Sequence, residues 1–290
     1  MRRIARASVL AMGLSACTLL TKLDGLSGGT TGAGPDGGDS SAAPPIDAQI
    51  DARAANEGGA DAGGSADADA ALACGHPGPT EGLLAYYPFE EGSGTVVHDC
   101  SGNHVDGTFV RMAGDTWTTG AKGGGLRVQA PNGCVDLGVP ASLQPPTMSV
   151  TAWVNVSTYP VPPASGYVIG QTLNADGSGW RIGSLTVDAG MLGWQHATGG
   201  TKYPVVIPGP APASWHHLVV TFAPNASVAI FLDGTLATSL AGVPPITFSA
   251  VSMRIGCRAD DANYFDGLVD EVRVYDRVLT AAEITALAAP

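Results

Sequence analysis

The stretch SVTAWVNV at 149–156 puts Val150, Ala152, Val154 and Val156 on one side of an extended chain, with Thr151, Trp153 and Asn155 on the other. A period of two means a strand, because successive side chains leave a pleated backbone on opposite faces. The pattern recurs, and turn residues close each run. LLAYYPF at 83–89 stops at Glu-Glu-Gly-Ser-Gly, and TVVHD at 95–99 runs into Ser-Gly-Asn. HHLVVTF at 216–222 alternates, so the neighbours His216 and His217 are expected on opposite faces. VAIFLDGTLAT at 228–238 carries Asp233-Gly234 between two apolar runs, the turn pair of a two-residue hairpin. DEVRVYDRV at 270–278 sets Val272, Val274 and Asp276 against Glu271, Arg273 and Tyr275. One short helix is predicted after it, where Thr280 and Glu283 have capping-box spacing and Ile284 and Leu287 form an apolar stripe. Many short strands with 40 glycines and 21 prolines make the chain all-β, an antiparallel two-sheet sandwich with one C-terminal helix.

Ahead of the strands lie two segments of another kind. Arg2, Arg3 and Arg6 precede an uncharged run and the small pair Ser15-Ala16, the pattern of an export signal over 1–16. The run is too short to span a bilayer. Leu14-Ser15-Ala16-Cys17 resembles the lipobox of bacterial lipoproteins. The resemblance implies cleavage before Cys17 and acylation of that cysteine, and two or more acyl chains make a stable anchor. Thr18 stands where that family's inner-membrane retention signal has aspartate, which points to the outer membrane or cell surface. Residues 17–73 are rich in Gly, Ala, Asp and Ser and hold no aromatic residue. Such a segment buries too little apolar surface to offset its ordering entropy, so a disordered tether of about 40 Å root-mean-square span is expected.

Residues 74–290 then form one domain. The chain carries −12 in total; residues 1–23 contribute +4 and 24–73 contribute −8, which leaves −8 on the domain. No basic patch stands out, so nucleic acid and anionic lipid are poor partners, and the membrane is reached only through the lipid.

GLLAYYPFEEGSGTVVHDCSGNHVDGTFV at 82–110, GGGLRVQAPNGCVDLG at 123–138 and FDGLVDEVRVYDRVLTAAEITAL at 265–287 resemble the LamG-like jelly roll of the concanavalin A-like lectin/glucanase superfamily. The resemblance implies two stacked antiparallel sheets with the first and last strands adjacent. It also implies a module that binds carbohydrate or protein ligands, while some relatives on this fold are glycosidases. Glycan or glycoprotein is therefore the expected partner. The alternatives are an adhesive envelope protein without a sugar pocket and a hydrolase with an unrecognised site.

Cys74, Cys100, Cys134 and Cys257 are an even set in an exported domain, where disulfides persist, and three connectivities are open. The run out along 83–89 and back along 95–99 returns Cys100 toward Cys74, which favours Cys74–Cys100 with Cys134–Cys257.

A retaining glycosidase needs two carboxylates close together on one face. Glu90-Glu91 and Asp270-Glu271 are adjacent in sequence, so each pair is expected to diverge, and the chain reads as a non-enzyme. Asp99, Asn103 and Asp106 in HDCSGNHVDG offer oxygen ligands for a structural Ca²⁺. The resemblance places the last strand beside this loop, so that Asp270 completes the shell; the competing reading is a plain turn. Asp260, Asp261, Asn263 and Asp266 read as a solvated loop. For a sugar ligand the candidate aromatic faces are Trp180, Trp194 and Tyr203, with Tyr159 and Tyr167 as further candidates.

Overall fold

The structure is a computed structural model that describes residues 74, 78–173 and 177–289. The expected signal peptide (1–16), Cys17 and the tether (17–73) lie outside the described residues. The strands run in chain order: β1 (Leu83–Tyr87), β2 (Val96–Val97), β3 (Gly107–Arg111), β4 (Trp117–Thr119), β5 (Gly124–Val128), β6 (Cys134–Asp136), β7 (Met148–Val156) and β8 (Gly166–Gln171). They continue as β9 (Trp180–Ser184), β10 (Met191–Thr198), β11 (Thr201–Pro208), β12 (Trp215–Ala223), β13 (Ser227–Leu232), β14 (Thr235–Ala241), β15 (Arg254–Ile255) and β16 (Gly267–Tyr275). One helix, α1 (Ala281–Leu287), follows.

These strands form two antiparallel sheets. The first has the order β14-β13-β12-β7-β16-β5-β4, with β1 also on β16. The second has the order β11-β10-β9-β8-β15-β6-β3-β2. The alternation of 149–156 sets the faces: Val150, Ala152, Val154 and Val156 are all buried in the main core. They meet Leu192, Trp194, Val205 and Ile207 from the second sheet. An aromatic stack joins the sheets, with Trp180 on Trp194 at 5.2 Å and Trp194 on Phe222 at 5.7 Å between ring centroids. Asp233 and Gly234 both take left-handed φ (51° and 78°), which only a turn of the predicted hairpin type requires.

The first and last strands are adjacent, as expected, but β16 carries a bulge. Its residues 267–269 pair with β5 and 272–275 with β1, while the whole strand runs along β7. Glu271 sits in the bulge with φ +52°. The extra residue breaks the period of two, so Asp270 and Glu271 do not diverge as predicted. Asp270 pairs in register with Trp153, and Glu271 reaches Tyr86 and Arg273, all on the outer face.

That outer face is buried as well. Helix α1 covers one part, where Ile284 and Leu287 pack on Val219 and Tyr275. The predicted capping box holds its first turn, with Glu283 N–H donating to Thr280 Oγ1 and Thr280 N–H to Glu283 Oε2. The loop between β4 and β5 covers another part. There the Lys122 N–H donates to Asp270 Oδ2 at 2.9 Å, and the Lys122 ammonium lies 5.9 Å from the Trp153 ring centroid. A Cβ at Gly120 would collide with the Gly124 carbonyl and the Asp270 carboxylate, so glycine is needed for this close approach. No helix among the described residues is long and apolar enough to cross a membrane.

The burial of Asp270 has a consequence for stability. Loss of hydration, with the neighbouring Glu271 charge behind it, pushes its carboxyl up to about 8. The unfolded chain ionises this group near pH 4, the folded protein only near pH 8. Its contribution is therefore full below about pH 4, falls as pH rises toward 8, and is flat above. Thermal unfolding across that window should show the decline in the native chain and a flatter profile in Asp270→Asn. Equal slopes would contradict the assignment.

Candidate functional site

Three loops meet at one end of the sandwich: 129–133 after β5, 157–165 after β7, and 256–266 after β15. Between them lies a cleft of about 440 Å³, lined by Gln129, Ala130, Pro160, Ala164, Ser165, Asn263, Tyr264 and Asp266. The chain of the third loop is turned by Asp261 and Asn263, both with left-handed φ (57° and 52°), a conformation these side chains tolerate. Arg258 and Ala262 pair across the turn. In Asn263-Tyr264-Phe265-Asp266 the period of two returns. Phe265 is buried in the core, so Tyr264 and Asp266 are turned to the cleft.

The floor beneath this loop is braced. Cys257 is bonded to Cys134 of β6, and Cys74 to Cys100, the favoured connectivity. Arg254 pairs with Asp136 at 3.1 Å and with Asp261, and Arg111 reaches the other oxygen of Asp261 at 3.6 Å. Asp260 is held by Arg258 through two hydrogen bonds, which keep its carboxyl below the usual range. The cluster read as a solvated loop thus makes three ion pairs and forms one wall of a cleft. Tyr264 is half-buried; it lines the cleft and also packs against the core, and its hydroxyl is buried with no hydrogen-bond partner. Burial raises that phenol.

The predicted aromatic faces are elsewhere. Trp180 and Trp194 are fully buried, and their rings stack on each other between the sheets, so neither presents a face to a ligand. Register sets Trp194 opposite the core residue Ile182 and Trp180 opposite the buried His196, which turns both inward. Tyr203 is half-buried and stacks on His196 at 5.2 Å. Tyr167 lies under the Arg181 guanidinium, and the Tyr159 hydroxyl donates to the Pro210 carbonyl. Tyr264, the aromatic of the cleft, was missed because it sits inside an acidic run. The signal for it was the apolar pair Tyr264-Phe265 amid turn formers.

The expected Ca²⁺ ligands do not form a shell. Asp99 Oδ1 accepts from the N–H groups of Tyr86 and Ser101, and Oδ2 from Ser101 Oγ and Val105 N–H, at 2.8–3.0 Å. Asp106 Oδ1 accepts from Asp99 N–H, and Asn103 Nδ2 donates to the Leu83 and Leu84 carbonyls. Asp270 is taken up under the Lys122 loop. Among the described residues no group of three acids, histidines or cysteines is arranged for a metal. The carboxylate of Asp99 thus holds the backbone of HDCSGNHVDG as in a hydrogen-bonded turn.

His217 is buried on the outer face against Trp153, and burial lowers its pKa to about 3, with Arg273 and Lys122 adding to the shift. His216 points the other way, as predicted. Its Nδ1 meets Asp233 Oδ2 at 2.8 Å and its Nε2 meets Ser214 Oγ at 2.9 Å. The row has the order of a hydrolytic triad, but the Ser214 hydroxyl donates to the Ala211 carbonyl, and the same Asp233 accepts from His217 N–H. These bonds fasten the β13–β14 hairpin to the start of β12.

Two stacked antiparallel sheets with a loop-built cleft at one end define a lectin-type jelly-roll sandwich. The chain belongs to the concanavalin A-like lectin/glucanase superfamily, whose family model matches residues 127–285. No curated protein gives a significant match. Among solved structures, the chain is similar to the binding domain of Paraclostridial Mosquitocidal Protein 1 (15% identity, TM-score 0.56, 72% of this chain and 52% of that one). It is also similar to domain 4 of AbnA, a GH43 extracellular arabinanase from Geobacillus stearothermophilus, in complex with arabinotriose (20% identity, TM-score 0.55, 71% and 98%). A third is botulinum neurotoxin type C, whose cell entry depends on interaction with two ganglioside molecules (12% identity, TM-score 0.54, 72% and 51%). The chain spans about half the length of the two toxin structures. At these identities the likeness is one of fold.

Proposed function

We propose that the protein is an exported, lipid-anchored surface protein whose sandwich binds glycans or glycoproteins in the end cleft. The cleft itself carries the reading. A half-buried tyrosine lines it together with two amide residues, a serine and an aspartate in about 440 Å³, within the size range of small-ligand sites. A sugar ring offers an apolar face to an aromatic and hydroxyls to amides and acids. The arabinotriose and ganglioside ligands of proteins with this fold support the same class of partner.

Binding without cleavage is favoured over hydrolysis. Glycoside cleavage takes two carboxylates flanking the bond, and the cleft lining holds one, Asp266. The buried pair Asp270 and Glu271 is out of reach of any substrate. The purified chain on a glycan array should give saturable signals and release no reducing sugar from the glycans it binds. Release of reducing sugar would move the protein to the hydrolases. The anchor has a separate test, because Cys17→Ser should shift the protein from the membrane to the soluble fraction of its host. A variant that stays on the membrane would remove the lipid from the account.

A further inference from the structure

Arg181 stands apart from every other described arginine. Arg111, Arg127, Arg254, Arg258, Arg273 and Arg277 each have a carboxylate within ion-pair distance. Arg181 is 6% exposed and has none among the described residues. Its partners are neutral: Nε donates to Gln195 Oε1 at 2.9 Å, Nη1 donates to Ser165 Oγ at 2.9 Å, and the guanidinium lies 4.7 Å from the Tyr167 ring centroid. Arg258, whose charge acts on Arg181, is itself a cation and is already matched by Asp260. A buried charge without a counter-charge is costly, and chains keep one where it does something.

The guanidinium is joined to the cleft lining at Ser165, whose Oγ accepts from Nη1. Because Arg181 donates to this oxygen, the Ser165 hydroxyl hydrogen is left for another acceptor, backed by a full positive charge. Charge-assisted donors of this kind are matched to anionic oxygen. On the other wall, Asp266 accepts from the Thr158 hydroxyl and Asn263 supplies an amide, which suits sugar hydroxyls and repels a second acid. The two walls thus differ in sign.

Resting on the reading of the cleft as a glycan site, we infer that its ligand is an acidic sugar, held with its carboxylate toward Ser165 and Arg181 and its hydroxyls toward Asn263 and Asp266. Uronic acids and sialic acids share the required group. The ligand would bring the counter-charge that no described residue supplies.

The test is calorimetric titration of the full chain with a glucuronate-containing oligosaccharide, a sialylated one, and a neutral oligosaccharide matched to each. At least one acidic arm should bind about tenfold tighter than its neutral match. The arm that does so identifies which acid is taken. Arg181→Met should abolish that preference while leaving the melting temperature equal or higher, since it removes an uncompensated buried charge. Should that variant fail to fold, Ser165→Ala is read instead and should weaken acidic binding with less effect on neutral binding. Neutral glycans binding as tightly as acidic ones would overturn the inference and leave the glycan reading standing. So would a preference that survives both substitutions. Binding of no glycan in any arm would overturn both.

Discussion

Replacing Glu271 with alanine is expected to lower the unfolding free energy by about 3–5 kcal/mol. The side chain is 1% exposed, and its Oε2 lies 2.6 Å from Arg273 Nη2. Its Oε1 accepts from the Tyr86 hydroxyl at 2.8 Å, and the Arg273 guanidinium lies 3.9 Å from the Tyr86 ring centroid. The substitution takes away the carboxylate that neutralises a buried cation and the acceptor of a buried phenol together. It does so where β1, β7 and β16 join, so the loss should appear as global unfolding. The cost lies in the asymmetry of removing one partner, and a double variant should reveal it. Glu271→Leu with Arg273→Met should recover much of the stability, because apolar replacements of a buried pair are often neutral. Chemical denaturation of the three chains measures this. A single variant within about 1 kcal/mol of the native chain would mean that the pair is not the brace of this face.

Removing the Cys134–Cys257 bond by a double alanine substitution should cost about 5 kcal/mol, against about 3.5 kcal/mol for the Cys74–Cys100 bond. The difference follows from the closed loops, 123 residues against 26, because a longer loop restricts the unfolded chain more. The first loss should lower the melting temperature by roughly 10–20 °C. It should also weaken ligand binding, since Cys257 opens the loop that carries Asn263 and Tyr264. Only ion pairs, those of Asp261 with Arg254 and Arg111 and of Asp260 with Arg258, would then brace that wall. Removal of Cys74–Cys100 should leave affinity unchanged, as neither cysteine lines the cleft or belongs to the three loops that form it. The reverse order of stabilities, or equal effects on binding, would contradict this placement.

Much of the fold was legible in the sequence because it rests on local rules. The alternation of 149–156, the Asp233-Gly234 turn and the Thr280–Glu283 box each specify structure within a few residues, and each is found. The bulge at Glu271 was not legible. Its strand reads as an unbroken period of two, and only the pairing of one strand with β5, β7 and β1 demands the extra residue. The site was less legible still. Trp180 and Trp194 have the composition of ligand contacts, but sheet register, which depends on distant strands, turns both inward. Asp99 and Asp106 have the composition of a metal loop, yet their oxygens serve backbone N–H groups that only the fold brings near. Tyr264 and Ser165 are 99 positions apart in sequence, and no spacing rule could join them.

The most direct measurement is a titration of the full chain and of Tyr264→Ala with a glycan that scores on the array. Saturable binding is expected of the native chain, with a loss of about tenfold or more in the variant; because Tyr264 also packs against the core, both chains are titrated well below the variant's melting temperature. Equal affinity of the two chains would place the ligand elsewhere and contradict the assignment of the cleft.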